Sequence, residues 1–98
     1  MKQPHSGLVR ACRDWLTLHG WFVYPNKMSM GSYKGLSDLT AIRWKETTHC
    51  LARRSVWIEC KVGKDKLSSY QIIFQSNIEA NGGEYLVVKD IDDLMDLE

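Results

Sequence analysis

Between Val56 and Val62 the hydrophobic and polar positions alternate with a period of two: Val56, Ile58, Cys60 and Val62 fall on one face of a strand, and Trp57, Glu59 and Lys61 on the other. The chain before it opens on a different period. From Ser6 onward, Leu8, Cys12, Trp15 and Leu16 share one face of a helix, with Val9 flanking it and Arg10, Arg13 and Asp14 pointing elsewhere. Ser6 is placed to cap this helix and Gly20 to close it, which leaves Met1 to His5 as a loose arm. Trp21 to Tyr24 reads as a short aromatic and β-branched strand halted by Pro25, followed by a Gly- and Ser-bearing connection, long enough to face a substrate, in which Met28 and Met30 either fill the loop or touch a substrate or partner.

A second strand is expected from Asp38 to about Trp44, after a turn led by Gly35, and the third from about Ser55 to Val62. The connection from Lys45 to Arg54 makes them hairpin neighbours. Ser68 and Gln71 form a capping box at the head of a helix that runs to about Ala80, with Tyr70, Ile73, Phe74 and Ile78 as its buried stripe. Asn81-Gly82-Gly83 ends this helix, Tyr85 to Val88 is an apolar strand fit for a sheet interior, and a short helix over Ile91 to Leu97 is capped by Asp90. The order is helix, three strands, helix, strand, helix: an α/β chain with a small mixed sheet flanked by helices, as one domain over residues 1–98.

The central strand carries a carboxylate and an ammonium side by side on a surface that otherwise favours burial. A charge removed from water is costly unless it is paired or binds an ion. Glu59 and Lys61 therefore form either a structural ion pair or part of a site. Asp38, at the mouth of the neighbouring strand, can converge with Glu59 on one divalent cation with Lys61 beside it, and carboxylates are the ligands a hard ion such as Mg²⁺ requires. Alternation turns the Cys60 side chain into the core, so only its backbone is available to the site.

Gly35-x-x-Asp38, then Glu59-Cys60-Lys61, then a helix opening with Gln71, then Asn81-Gly82-Gly83 before a strand, resembles the PD-(D/E)XK nuclease superfamily. More narrowly, the chain is similar to the virus-type replication-repair nuclease domain, VRR-NUC, of the stand-alone viral or phage type, over roughly Leu8 to Leu94. The resemblance implies a restriction-endonuclease-like core and a Mg²⁺- or Mn²⁺-dependent endonuclease. It makes Asp38, Glu59 and the backbone carbonyl of Cys60 metal ligands and Lys61 a catalytic residue. Gln71 either orients water or phosphate, or serves only the capping box. It further implies a homodimer acting on branched DNA, such as four-way junctions or flaps, in viral replication or repair. The family's glutamate early in the first helix has no acidic counterpart before Asp14; the nearest position is His5 or its neighbours.

A chain of 98 residues buries about 60 to 65% of its unfolded surface, enough for one thin core. Its 44% hydrophobic and 26% charged content is that of a globular protein and argues against disorder. No apolar run approaches the roughly 18 residues that span a membrane, and no secretory leader pattern follows Met1-Lys2, so a cytoplasmic protein without membrane contact is expected. Cys12, Cys50 and Cys60 are odd in number and lack C-x-x-C spacing, and His5, His19 and His49 fall at no ligand spacing, which makes them surface or cap residues.

The net charge of +1 is uninformative, but its distribution is not. Asp90, Asp92, Asp93, Asp96 and Glu98 gather at one end, leaving 13 basic against 7 acidic residues in the rest, a body suited to a polyanion. Lys34, Lys64 and Lys66, and Arg53 and Arg54 at the hairpin tip, are the candidate DNA contacts; a solvated tip and an ordinary lysine turn explain them equally simply. Other readings are a nuclease-fold module that binds DNA without cutting it, a structural protein in which Glu59 and Lys61 merely pair, and a restriction-type endonuclease.

Overall fold

The computed structural model describes residues 4–27, 31–46 and 51–97, and Met28, Met30, His49 and Cys50 lie outside them. Helix α1 (His5–Leu18) leads into β1 (Phe22–Pro25), β2 (Leu39–Glu46), β3 (Leu51–Cys60), helix α2 (Ser69–Ala80), β4 (Glu84–Val88) and a 3-10 helix (Ile91–Leu97). The strands form one mixed sheet in the order β1-β2-β3-β4, antiparallel for the first two pairings and parallel for β3 with β4. The parallel step needs a crossover, and α2 supplies it. This is the small α/β arrangement expected from the sequence.

The core lies between α1, the 3-10 helix and one face of the sheet. Leu8, Cys12 and Leu16, at spacings of four along α1, are fully buried against Leu39, Ala41, Val56, Ile58, Cys60 and Val88, with Leu94 and Leu97 closing the layer. Burial of each large aliphatic side chain is worth about 1.5 to 3 kcal/mol relative to exposure, and the face is continuous from β2 to β4. Within it the thiols of Cys12 and Cys60 stand 3.8 Å apart. Trp21 is buried at the end of this layer, with the Arg43 guanidinium 4.5 Å from its ring centroid. Arg43 also donates to the carbonyls of His19 (3.2 Å) and Leu97 (3.1 Å), binding the end of α1 to the 3-10 helix.

Several elements differ from the expected ones. Helix α1 begins at His5, one residue early, with Pro4 as N-cap and without a side-chain cap from Ser6. Proline costs nothing there, because no helical acceptor awaits its missing N–H. Arg53 and Arg54 lie within β3 rather than in a hairpin tip, since the β2–β3 ladder continues to Glu46 and Leu51. Strand β4 is an edge strand, not an interior one; helices on either side explain its apolar composition without a further strand. On α2 only Phe74 is buried, while Tyr70, Ile72 and Ile73 are half exposed, because this helix touches the opposite sheet face along a narrow line through Phe74 and Ile78. The β1–β2 part of that face is uncovered: Phe22 pairs with Ile42, Trp44 follows on the same side, and Phe22 and Trp44 are 67% and 68% exposed.

One close approach fixes α2 against the turn before β2. Gly35 has a φ of +83°, and a Cβ there would overlap the carbonyl of Tyr70 and lie 2.9 Å from the backbone nitrogen of Gln71. Gly20 has nearly the same φ, +85°, but nothing within 4 Å of a Cβ. The pair separates conformational strain from contact. In urea unfolding, Gly20→Ala is expected to cost about 1 kcal/mol and Gly35→Ala about 2 kcal/mol or more, the excess being overpacking.

Candidate metal centre

Antiparallel register brings the two acids together. Leu39 pairs with Ile58 and Thr40 with Trp57, so continuing the ladder by one step sets Asp38 opposite Glu59. Asp38 is held by its surroundings before it meets any ligand. Its backbone carbonyl accepts from the Asn26 N–H (2.9 Å), and the Asn26 side chain donates to the Ser37 carbonyl (3.1 Å) and the Thr40 hydroxyl (2.9 Å). The fully buried Ser37 donates its hydroxyl to the Leu39 carbonyl. The Asp38 carboxylate accepts the Cys60 N–H at 2.8 Å through Oδ2, which aims it across the end of β3.

Glu59 is 3% exposed, and its Oε1 finds no hydrogen-bond partner among the described residues. Lys61, itself mostly buried, brings Nζ only to 4.0 Å from the other oxygen, so a plain Glu59/Lys61 ion pair leaves the carboxylate half satisfied. Burial, then hydrogen bonding to Asp38 and its negative charge, raises the Glu59 pKa from an ordinary 4.5 to about 8, against the opposing pull of Lys61. The Tyr85 hydroxyl is also buried without a described partner, and burial followed by the charges of Glu59 and Asp38 raises its pKa as well. Tyr85 pairs with Trp57, on the same sheet face as Glu59, and its ring packs edge-on against Phe74.

The third member comes from α1. His5 Nε2 lies 3.2 Å from Asp38 Oδ2, and donor atoms of His5, Asp38 and Glu59 all lie within 4.8 Å of one another. This corrects the placement of His5 in a loose arm: it is the first residue of α1, with its side chain half exposed. Starting α1 at His5 puts it on the stripe of Leu8 and Cys12, which faces the sheet and reaches past its end. That spacing was the available signal, hidden by placing the helix start at Ser6. An octahedral ion with bonds of about 2.1 Å holds adjacent donors about 3 Å apart, so the His5–Asp38 separation and the orphaned Glu59 oxygen both fit a bound cation. The His/Asp/Glu group can hold a metal ion.

The other expected residues are placed more widely. The Cys60 backbone is at the site through its N–H, and the Cys60 side chain is in the core as alternation required. Gln71 completes the capping box: its Oε1 accepts the Ser68 N–H (2.8 Å) and its own N–H reaches Ser68 Oγ (3.2 Å). Gly35 holds this first turn of α2 against the segment that carries Asp38. Lys34 lies 4.9 Å from the Tyr70 ring centroid, while Lys64 and Lys66 are exposed in the segment after β3. Arg53 is exposed on β3, whereas Arg54 makes a two-pronged pair with Glu84, at 2.6 and 2.9 Å, that fastens β3 to β4. The chain matches no protein-family model, no curated protein and no solved structure.

A carboxyl whose folded pKa is raised contributes stability that is fully present below the unfolded pKa and lost as pH rises through the folded one. The metal-free protein is therefore expected to lose stability between pH 4.5 and about 8. Glu59→Gln should remove most of that slope and leave the protein more stable than the parent near pH 8, by an amount of the order of a few kcal/mol. Chemical denaturation in EDTA across this range checks it; a parent stability that rises with pH over the interval contradicts it.

Proposed function

We propose that this chain is a divalent-metal-dependent endonuclease of the VRR-NUC kind that hydrolyses phosphodiester bonds in branched DNA. The observation that carries the reading is the convergence of Asp38 and a buried, half-satisfied Glu59, with Lys61 alongside and His5 closing the group. Asp38, Glu59 and His5, with the Cys60 carbonyl, are the residues that would hold Mg²⁺ or Mn²⁺. When bound, such an ion supplies a lowered water pKa and charge neutralisation at the scissile phosphate.

The chain's own groups do the rest. Lys61, held out of bulk water, offsets negative charge growing on the phosphate and orients the attacking water. The Asn26 N–H fixes the Asp38 backbone through its carbonyl, and the Cys60 N–H holds the carboxylate through Oδ2. Gln71 has its Oε1 engaged in the cap, so its amide NH₂ is the part available to a phosphate or water. Lys34, Lys64, Lys66 and Arg53 are the backbone contacts of this reading; Arg54 is committed to Glu84 and is withdrawn from it. The alternative, a DNA-binding module without catalysis, is favoured by one observation, the histidine at the place of the family's helix glutamate.

A second copy of the chain completes the proposal, with the uncovered stripe of Phe22 and Trp44 as the surface it would cover. Gel filtration should give the mass of a dimer, and a monomer at working concentration removes this part of the reading.

The deciding assay is cleavage of labelled four-way junction, flap, single-stranded and linear duplex DNA with Mg²⁺ or Mn²⁺, beside EDTA controls. Metal-dependent cutting of branched substrates is expected, falling by about 10²-fold or more in Lys61→Ala. Cys60→Ala should cut nearly as well as the parent, since its side chain faces Cys12 in the core. Metal-indifferent DNA binding by folded protein with no cutting favours the binding module.

A further inference from the structure

The donor set itself says which divalent ion the site prefers. We infer that His5 makes this a centre that selects Mn²⁺, as a first-row transition ion, over Mg²⁺. The inference rests on reading His5, Asp38 and Glu59 as one metal site. Two side-chain donors are carboxylates, which serve either ion. The third is an imidazole nitrogen, and it already stands 3.2 Å from Asp38 Oδ2. Mg²⁺ demands oxygen and gives up its waters reluctantly, whereas imidazole bonds transition ions well. Exchanging one oxygen donor for a nitrogen therefore weakens Mg²⁺ relative to Mn²⁺ without enlarging the site.

Two further observations make His5 more than a helix-end ion pair with Asp38. Asp38 Oδ2 already accepts the Cys60 N–H at 2.8 Å, so it does not need the histidine for satisfaction. Glu59 Oε1, buried on the inner side of the same group, has no described partner, and a cation shared by all three would supply one. His5 is also suited to substitution. Its side chain is half exposed, so little packing is lost on truncation, and a glutamate in the first turn of α1 is favoured by the helix dipole.

The test is direct ion binding to metal-stripped protein, by calorimetric titration with Mn²⁺ and with Mg²⁺ separately, on the parent, His5→Ala and His5→Glu. The parent should bind Mn²⁺ more tightly than Mg²⁺. His5→Ala should weaken Mn²⁺ by at least the roughly 10- to 100-fold that loss of an outer-shell partner costs, with a smaller effect on Mg²⁺. His5→Glu should recover Mg²⁺ binding and narrow the ratio. Electron spin-echo spectroscopy of bound Mn²⁺ should show ¹⁴N coupling in the parent that both variants lack, a signature a purely structural histidine would not produce. Binding of both ions with no ¹⁴N coupling, or with the two affinities moved equally by His5→Ala, overturns the inference and leaves the metal-site reading standing. Failure of both ions to bind the folded parent overturns the two together.

Discussion

Glu59 is the constraint on which the rest of the structure turns. A side chain 3% exposed, with one oxygen unpartnered among the described residues and a lysine only at the edge of pairing distance, is held in place by neighbours that do not fully satisfy it. Such a carboxylate costs free energy, and it persists because everything around it is fixed independently: β3 between two neighbours, Asp38 by Asn26 and the Cys60 N–H, α1 by the buried Leu8, Cys12 and Leu16. Scaffold and site are thus separable. The core lies on one face of the sheet; of the three buried polar atoms without a partner among the described residues, Glu59 Oε1 and the Tyr85 hydroxyl belong to the other face, and Trp21 Nε1 lies at the end of the core.

Much of this was legible in the order of residues, because the governing interactions are local. The period-two alternation around Glu59 and the helical stripe of α1 follow from backbone geometry alone, and the capping box of Ser68 and Gln71 closes within a single turn. The convergence of Asp38 on Glu59 was legible too, since a hairpin fixes its own register. What stayed hidden depends on separations that no local pattern encodes. His5 meets Asp38 across 33 positions, and Arg54 finds Glu84 across 30. The second pairing turns a residue that looked free for phosphate into a fastener between strands. The exposure of Tyr70 and Ile73 was equally unreadable, because it depends on how narrowly α2 meets the sheet.

Gly35 connects the acid-bearing turn before β2 to the head of α2. Its missing side chain lets the backbone of α2 come down on the turn that ends at Asp38, so the capping box and the acid share one rigid corner. Gln71 therefore has a structural duty through its oxygen and, on the proposed reading, a chemical one through its nitrogen. The same economy holds for Cys60, whose N–H serves the site while its thiol lies in the core beside Cys12.

The parallel pairing of β3 with β4 bears on how the molecule assembles. β2 and β3 are neighbours both in the chain and in the sheet, whereas β4 reaches β3 only through the α2 crossover and α1 packs on residues far along the chain, contacts of high sequence separation that slow folding. Asp38, just before β2, and Glu59, on β3, are 21 positions apart, whereas His5 meets Asp38 across 33 positions. The three donors come from the head of α1, the turn before β2 and the end of β3, so a cation that uses all of them binds the native chain and not the unfolded one, and occupancy and global stability rise together.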